Sequence, residues 1–146
     1  MSQKRIDDLL KMFNEVAPLA RTFGMTLSFD DEGRAIVDLP YNPGLDHAQG
    51  GIHGGVYATL LDTAGWFTSA GAHEADWWIA TSEMSMHLLL PAAQTSLRAV
   101  GQLIKRGKRQ DVAEMRLYDA EGRLMAQATG TFVLLPGVPQ EKADTP

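Results

Sequence analysis

Ile6, Leu9, Phe13 and Val16 recur at intervals of three and four residues, the spacing of one helix face. Ser2 stands where an N-cap belongs and Pro18 lies beyond the apolar stripe, so the pattern predicts a short amphipathic helix in the first eighteen residues. The period then falls to two. Met25, Leu27 and Phe29 alternate with Thr26 and Ser28, and Ala35, Val37 and Leu39 alternate in turn. Asp31-Glu32-Gly33 between them is a turn signal, which makes a hairpin ending at Pro40. Residues 41–52 are rich in Gly, Pro, Asn and Asp and read as a loop long enough to carry a site. Residues 53–70 are apolar over nearly the full circumference of a helix, through Val56, Tyr57, Leu60, Leu61, Ala64 and Phe67. A helix apolar on almost all sides is buried, and Thr59, Asp62 and Thr63 are its polar exceptions. After Trp77 the period returns to two, and segments 78–89, 96–105, 111–118 and 123–134 each predict a strand. Turns at 91–93, 106–109 and 119–122 join them as consecutive hairpins of an antiparallel sheet.

One buried helix and about six strands predict an α+β domain in which the sheet curls around the helix. The pattern places this single domain in residues 1–136 and a loose, flexible tail in 137–146. A single sheet cannot cover its own outer surface, and strands this rich in Val, Leu and Met predict a homo-oligomer. Composition narrows the chemistry. With no cysteine in the chain, disulfides, thiolate zinc sites and cysteine nucleophiles are excluded together. A net charge of −5 argues against nucleic acid as a partner. No apolar run approaches the roughly 20 residues of a membrane span, and Pro91 cuts short the run at Leu88, Leu89 and Leu90. Asp7 and Asp8 follow Lys4 and Arg5 where a signal peptide would be apolar, so a cytoplasmic protein with no membrane partner is expected. His73 and His87 lack partners at metal-ligand spacing, and His47 and His53 with Asp46 form only a weak pattern, so no metal is expected.

Three features carry candidate chemistry. Gly50-Gly51-Ile52-His53-Gly54-Gly55 opens the buried helix, whose first N–H groups and positive dipole end face outward. Gly54 and Gly55 would admit close approach of an oxygen gaining negative charge, as in an oxyanion hole; the same glycines would also serve a turn needed only for tight packing. Asp62 sits nine residues after His53 on the apolar helix, where a carboxylate must either find backbone or Arg partners or line a polar cavity. Residues 105–109, Lys105-Arg106-Gly107-Lys108-Arg109, concentrate four cations in one hairpin turn of an acidic chain. Such a turn would pair with phosphates or serve only as a solvated edge. Trp66, Trp77 and Trp78 are the only tryptophans, suited to core packing or to lining an acyl pocket.

His53-Gly54-Gly55 followed by Leu60-Leu61-Asp62-Thr63-Ala64 resembles the signature of hotdog-fold thioesterases of the phenylacetate-pathway (PaaI-like) group. The run Thr81-Ser82-Glu83-Met84-Ser85-Met86-His87-Leu88-Leu89-Leu90-Pro91-Ala92 and the closing strand from Arg123 to Phe132 resemble it too, and the likeness covers roughly residues 20 to 135. The resemblance implies a hotdog fold and hydrolysis of an acyl-CoA thioester, aromatic or medium-chain, with CoA as part of the substrate and no separate cofactor. It makes Asp62 the general base or nucleophile, the Gly54 N–H the oxyanion donor beside Gly55, and His53 a residue that shapes the helix start. Thr81 would place the attacking water, facing Asp62 of a partner chain in a site formed between two subunits, with a dimer of dimers (homotetramer) as the favoured assembly. Lys105, Arg106, Lys108 and Arg109 would take the CoA phosphates. The chain departs from the family at the helper six residues before the motif His, usually Asn or Gln and here His47. Either His47 replaces it, or a shifted loop brings in Gln49, or the role is lost. Rival implications are an acyl-CoA-binding hotdog domain without catalysis, a thioesterase for carrier-protein thioesters, and a hotdog hydratase or dehydratase, which the Asp spacing does not suit.

Overall fold

The longest helix, α3 (Gly54–Gly71), contains no proline and is apolar on nearly every side. In the structure, a computed structural model that describes residues 1–74 and 77–140, this helix is the axis of the molecule. Val56, Leu60, Leu61, Ala64, Phe67 and Ala70 are each no more than 6% exposed. Six strands wrap it: β1 (Thr26–Phe29), β2 (Ala35–Leu39), β3 (Trp78–Leu88), β4 (Leu97–Lys105), β5 (Gln110–Asp119) and β6 (Leu124–Leu135). Their order is β1-β2-β4-β5-β6-β3, antiparallel throughout. The fold is therefore the expected α+β hotdog arrangement.

Register follows from the alternation of the strands. Val37, Ala99, Leu117 and Ala126 lie side by side across β2, β4, β5 and β6, all fully buried against α3. A slip of one residue would turn that whole row to the outer face, so the buried face holds the pairing in place. The helix lies close on the sheet because Gly101 of β4 has no side chain; a Cβ there would stand 2.5 Å from the Ala64 carbonyl oxygen. Thr68 adds a pin, its hydroxyl accepting from the Ala35 N–H at 3.0 Å.

The N-terminal segment departs from the single helix expected. Helix α1 (Gln3–Lys11) is capped by Ser2, whose hydroxyl accepts from the Arg5 N–H at 3.2 Å. A π-helical turn, Met12–Val16, follows, and α2 (Pro18–Phe23) begins with Pro18 inside its first turn. Proline suits that position because its missing N–H has no helical partner there. The wider π turn shifts the phase, so Leu9 and Phe13 stay buried while Val16 is 59% exposed. It also sets Asn14 against β1, where the side-chain amide accepts from the Leu27 N–H at 2.8 Å and donates to the Leu27 carbonyl at 3.0 Å.

In the stretch expected to be a loose tail from residue 137 onward, Val138 and Gln140 make hydrogen bonds to the domain. Val138 accepts from the Trp78 N–H, and the Gln140 side chain, 8% exposed, donates to the Trp77 carbonyl at 2.8 Å and accepts from Arg5 at 3.0 Å. The rest of that expectation, residues 141–146, lies outside the described residues. Among the described residues, no helix is long and apolar enough to cross a membrane.

Candidate active site

The start of α3 is built by the loop before it. Residues 46–52 fold into a tight turn in which His47 and Gly51 pair by backbone, at 2.8 Å from N–H to carbonyl, and Gly50 takes a positive φ of 81°. Ile52 then donates to Ala92 at 2.8 Å, which ties the loop to the connection between β3 and β4, and His53 donates to Leu45 at 3.1 Å. His53 is the N-cap of α3: its Nδ1 accepts from the Gly55 N–H at 2.8 Å, and its carbonyl accepts from Val56 at 2.9 Å. Gly55 and Val56 thus spend their N–H groups on His53, whereas the Gly54 N–H has no hydrogen-bond partner among the described residues. Leu88 overhangs it, and a Cβ on Gly54 would lie 3.1 Å from the leucine Cδ1.

Asp62 lies on a half-buried stripe of α3 that faces β3. Thr59 and Thr63 beside it bond back to the helix, to the Gly55 carbonyl at 2.9 Å and the Thr59 carbonyl at 2.7 Å. Neither threonine is thereby spent on Asp62. The carboxylate instead accepts from Thr81 Oγ of β3 at 2.7 Å, and no cation pairs with it among the described residues. This contact lies within one chain, which corrects the expectation that Thr81 faces a partner's Asp62. The strand carrying Thr81 packs directly along its own α3, so the hydroxyl has no gap to cross.

The expected site residues do not all converge. Gly54 and Asp62 are eight residues apart on one helix, about 12 Å along its axis at 1.5 Å per residue. Of the helper candidates, His47 is exposed and its Nδ1 accepts from the Gln49 N–H at 3.2 Å, leaving Nε2 lying over Gly51. Gln49 is exposed at the turn's tip. Asn42 is committed elsewhere, accepting from Gly44 at 2.9 Å and donating to the Phe23 carbonyl at 3.2 Å. Asp46 accepts from the Tyr41 hydroxyl at 2.6 Å, and that bond holds the phenol above its ordinary pKa. Lys105, Arg106, Lys108 and Arg109 are exposed on the turn between β4 and β5, at the C-terminal end of α3, with no ion pair among the described residues.

Beyond Asp62 by one helical turn, Trp66 donates to the Ile79 carbonyl at 2.6 Å and packs on Trp78 with ring centroids 5.1 Å apart. Two contributors escaped the sequence reading. Leu88 over Gly54 carried no signal, because a leucine ending a strand is ordinary. Asp111 did carry one: it occupies an inward position of β5 in phase with Ala113, Met115 and Leu117, where an apolar residue belongs.

The thioesterase superfamily profile matches residues 49–126. A relative from Saccharolobus solfataricus that bears the provisional name of esterase is 25% identical over 132 residues, covering 90% of this chain and 91% of its own. The Bacillus halodurans protein BH2602, solved with CoA, is 32% identical with a TM-score of 0.78, over 92% of this chain and 91% of that one. E. coli PaaI, from the phenylacetic acid degradation operon, shares the fold with a TM-score of 0.80 at 20% identity, over 92% of this chain and 96% of that one.

Proposed function

Because the chain belongs to the thioesterase superfamily and is a thioester hydrolase, we propose that it cleaves acyl-CoA thioesters of aromatic or medium-chain acids to the free acid and CoA. The observation that carries this reading is the Asp62 carboxylate, half-buried, free of any cation among the described residues and oriented by one hydroxyl at 2.7 Å. A carboxylate kept from neutralising partners is available as a base or nucleophile. In the base route Asp62 takes a proton from water and the oxygen adds to the thioester carbonyl. The oxyanion rests on the Gly54 N–H, the C–S bond breaks, and the departing thiolate recovers the proton from Asp62. In the nucleophile route the Asp62 carboxylate adds to the carbonyl, the C–S bond breaks to release the CoA thiolate and leave a mixed anhydride, and water then cleaves the anhydride to the free acid and the Asp62 carboxylate, its proton passing to the thiolate.

The separation of about 12 Å between Gly54 and Asp62 on one helix means that a single carbonyl must take its oxyanion donor from one chain and its carboxylate from another. The β3 edge supports such an assembly. It pairs with β6 on one side, leaves the other edge open, and ends in exposed Met86, Leu88, Leu89 and Leu90. The active unit is a homodimer, with a dimer of dimers as the larger form. Trp66 and Trp78 beside Asp62 suit an aromatic or medium-length acyl group, and the PaaI operon context agrees. The CoA held by the Bacillus halodurans relative and the basic turn, which has no ion pair among the described residues, support CoA as carrier. The reading places the protein in the cytoplasm, with no cofactor, metal, nucleic acid or membrane partner.

Thiol release from aromatic and aliphatic acyl-CoAs, wild type beside Asp62→Asn, tests it. Turnover should fall by about 10²–10⁴, the usual weight of an acid–base group, with CoA binding retained. Normal turnover in the variant would remove Asp62 from the chemistry. The occupation of His47 Nδ1 by its own turn favours one rival, an acyl-CoA sensor lacking the helper; binding without release from any thioester, carrier-protein thioesters included, would establish that rival. Single turnover in ¹⁸O-water separates the two routes, because only the nucleophile route labels Asp62.

A further inference from the structure

At the end of α3 remote from Gly54, a carboxylate is buried where the strand alternation calls for an apolar side chain. Asp111 shares the inward face of β5 with Ala113, Met115 and Leu117, and all four have 0% exposure. A charge there persists only with a full set of partners, and Asp111 has three. Its Oδ2 accepts from Ser69 Oγ at 2.5 Å and meets His73 Nε2 at 2.7 Å, while its Oδ1 accepts from the Gly107 N–H at 2.9 Å. Ser69 and His73 stand four residues apart at the end of α3. Both address the carboxylate and Ser69 is fully buried, so the trio is not a nucleophile relay. Its physical effect is to join two elements, the axial helix and the β4–β5 turn.

That turn needs such a tie. The β4–β5 register shifts between Leu103 and Lys105 just before it, and Gly107 cannot carry a side chain, since a Cβ would stand 2.0 Å from the Gln110 carbonyl oxygen. The basic side chains on either side of Gly107 are exposed. Long cations on an unanchored turn would lose conformational freedom on meeting an anion, and anchoring the backbone beforehand removes part of that cost.

We propose that Asp111 is a positioning residue for recognition of the CoA phosphates: by bonding Gly107 from one oxygen and Ser69 and His73 from the other, it holds the basic turn at a set height on α3. The proposal rests on the acyl-CoA reading above. Its test is kcat and KM for an acyl-CoA and for the matching N-acetylcysteamine thioester, which lacks the nucleotide, together with calorimetric binding of free CoA. In Asp111→Ala, KM for the acyl-CoA and Kd for CoA should rise about tenfold, the weight of roughly one ordered charge contact. The short thioester should be unaffected in both constants. Asp111→Asn, whose amide oxygen still accepts from Gly107, should recover most of the loss. With Lys105, Arg106, Lys108 and Arg109 already replaced by Ala, Asp111→Ala should add nothing. If Asp111→Ala does not fold, Ser69→Ala removes one arm alone and should raise KM for the acyl-CoA selectively. Equal losses on both thioesters, or unchanged CoA binding, would overturn the proposal. Wild type that binds CoA without cleaving any thioester defeats the hydrolase reading while the binding data still decide this one. Wild type that does not bind CoA overturns the proposal itself.

Discussion

Thr81 and Asp62 are nineteen residues apart in the chain and meet at 2.7 Å. Since Thr59 and Thr63 spend their hydroxyls on the helix backbone, Thr81 alone orients the carboxylate among the described residues. Thr81→Val keeps the β-branched shape that suits a strand and removes only that hydroxyl. One hydrogen bond to a charged group is worth about 1.5–3 kcal/mol when dry and less when half-exposed, so kcat should drop roughly tenfold, equivalent to about 1.4 kcal/mol. Steady-state kinetics of the purified variant check this; a loss as large as that of Asp62→Asn would mean that Thr81 takes part in bond making.

At the scale of elements, two hairpins close with the same device. Asp30-Asp31-Glu32-Gly33-Arg34 joins β1 to β2, and Asp119-Ala120-Glu121-Gly122-Arg123 joins β5 to β6. In each, one aspartate oxygen accepts two backbone N–H groups, at 3.0 and 2.9 Å, and the other accepts the arginine Nε at 2.7 Å. The glycines take φ of 76° and 78°, a conformation that other residues adopt only under strain. Burial pushes both carboxyls up, but the backbone and guanidinium bonds outweigh it and hold both below their ordinary value of 3.8. A depressed carboxyl contributes stability that is present above its unfolded value and is lost as pH falls through the folded one. Asp119→Asn should therefore lower the urea midpoint at pH 7, and the gap to wild type should close as pH falls below 3.8. A gap independent of pH would mean that the carboxylate charge contributes nothing to the turn.

At the scale of the whole molecule, β3 is the unfinished part. It runs eleven residues at the edge of the sheet, and its exposed Trp78, Met86 and Leu88 are 39–50% accessible. A long, open, partly apolar edge invites pairing with another chain. If the proposed shared site holds, Met86→Lys with Leu89→Lys should give monomers by light scattering, with native circular dichroism and lost thioester hydrolysis, because in that reading Gly54 and Asp62 of one chain do not reach one carbonyl. A wild-type protein that is monomeric and active would rule out the shared site.

Much of this architecture was legible in one dimension. Alternation in β2, β4, β5 and β6 specified which face is buried, since a pleated strand presents successive side chains to opposite sides. The uninterrupted apolar circumference of α3 specified its burial, and the glycines and aspartates marked the turns. What the pattern missed depended on partners far away in the chain. The π turn at Met12–Val16 reflects Asn14 reaching β1, the burial of Gln140 reflects Arg5 and Trp77, and Asp111 is tolerable because Ser69 of α3, His73 just beyond it and the Gly107 N–H meet it. Periodicity records whether a position faces water or core. It does not record which polar group waits on the other side, and for Thr81 and Asp62, as for Asp111, the packing of strand on helix decided that.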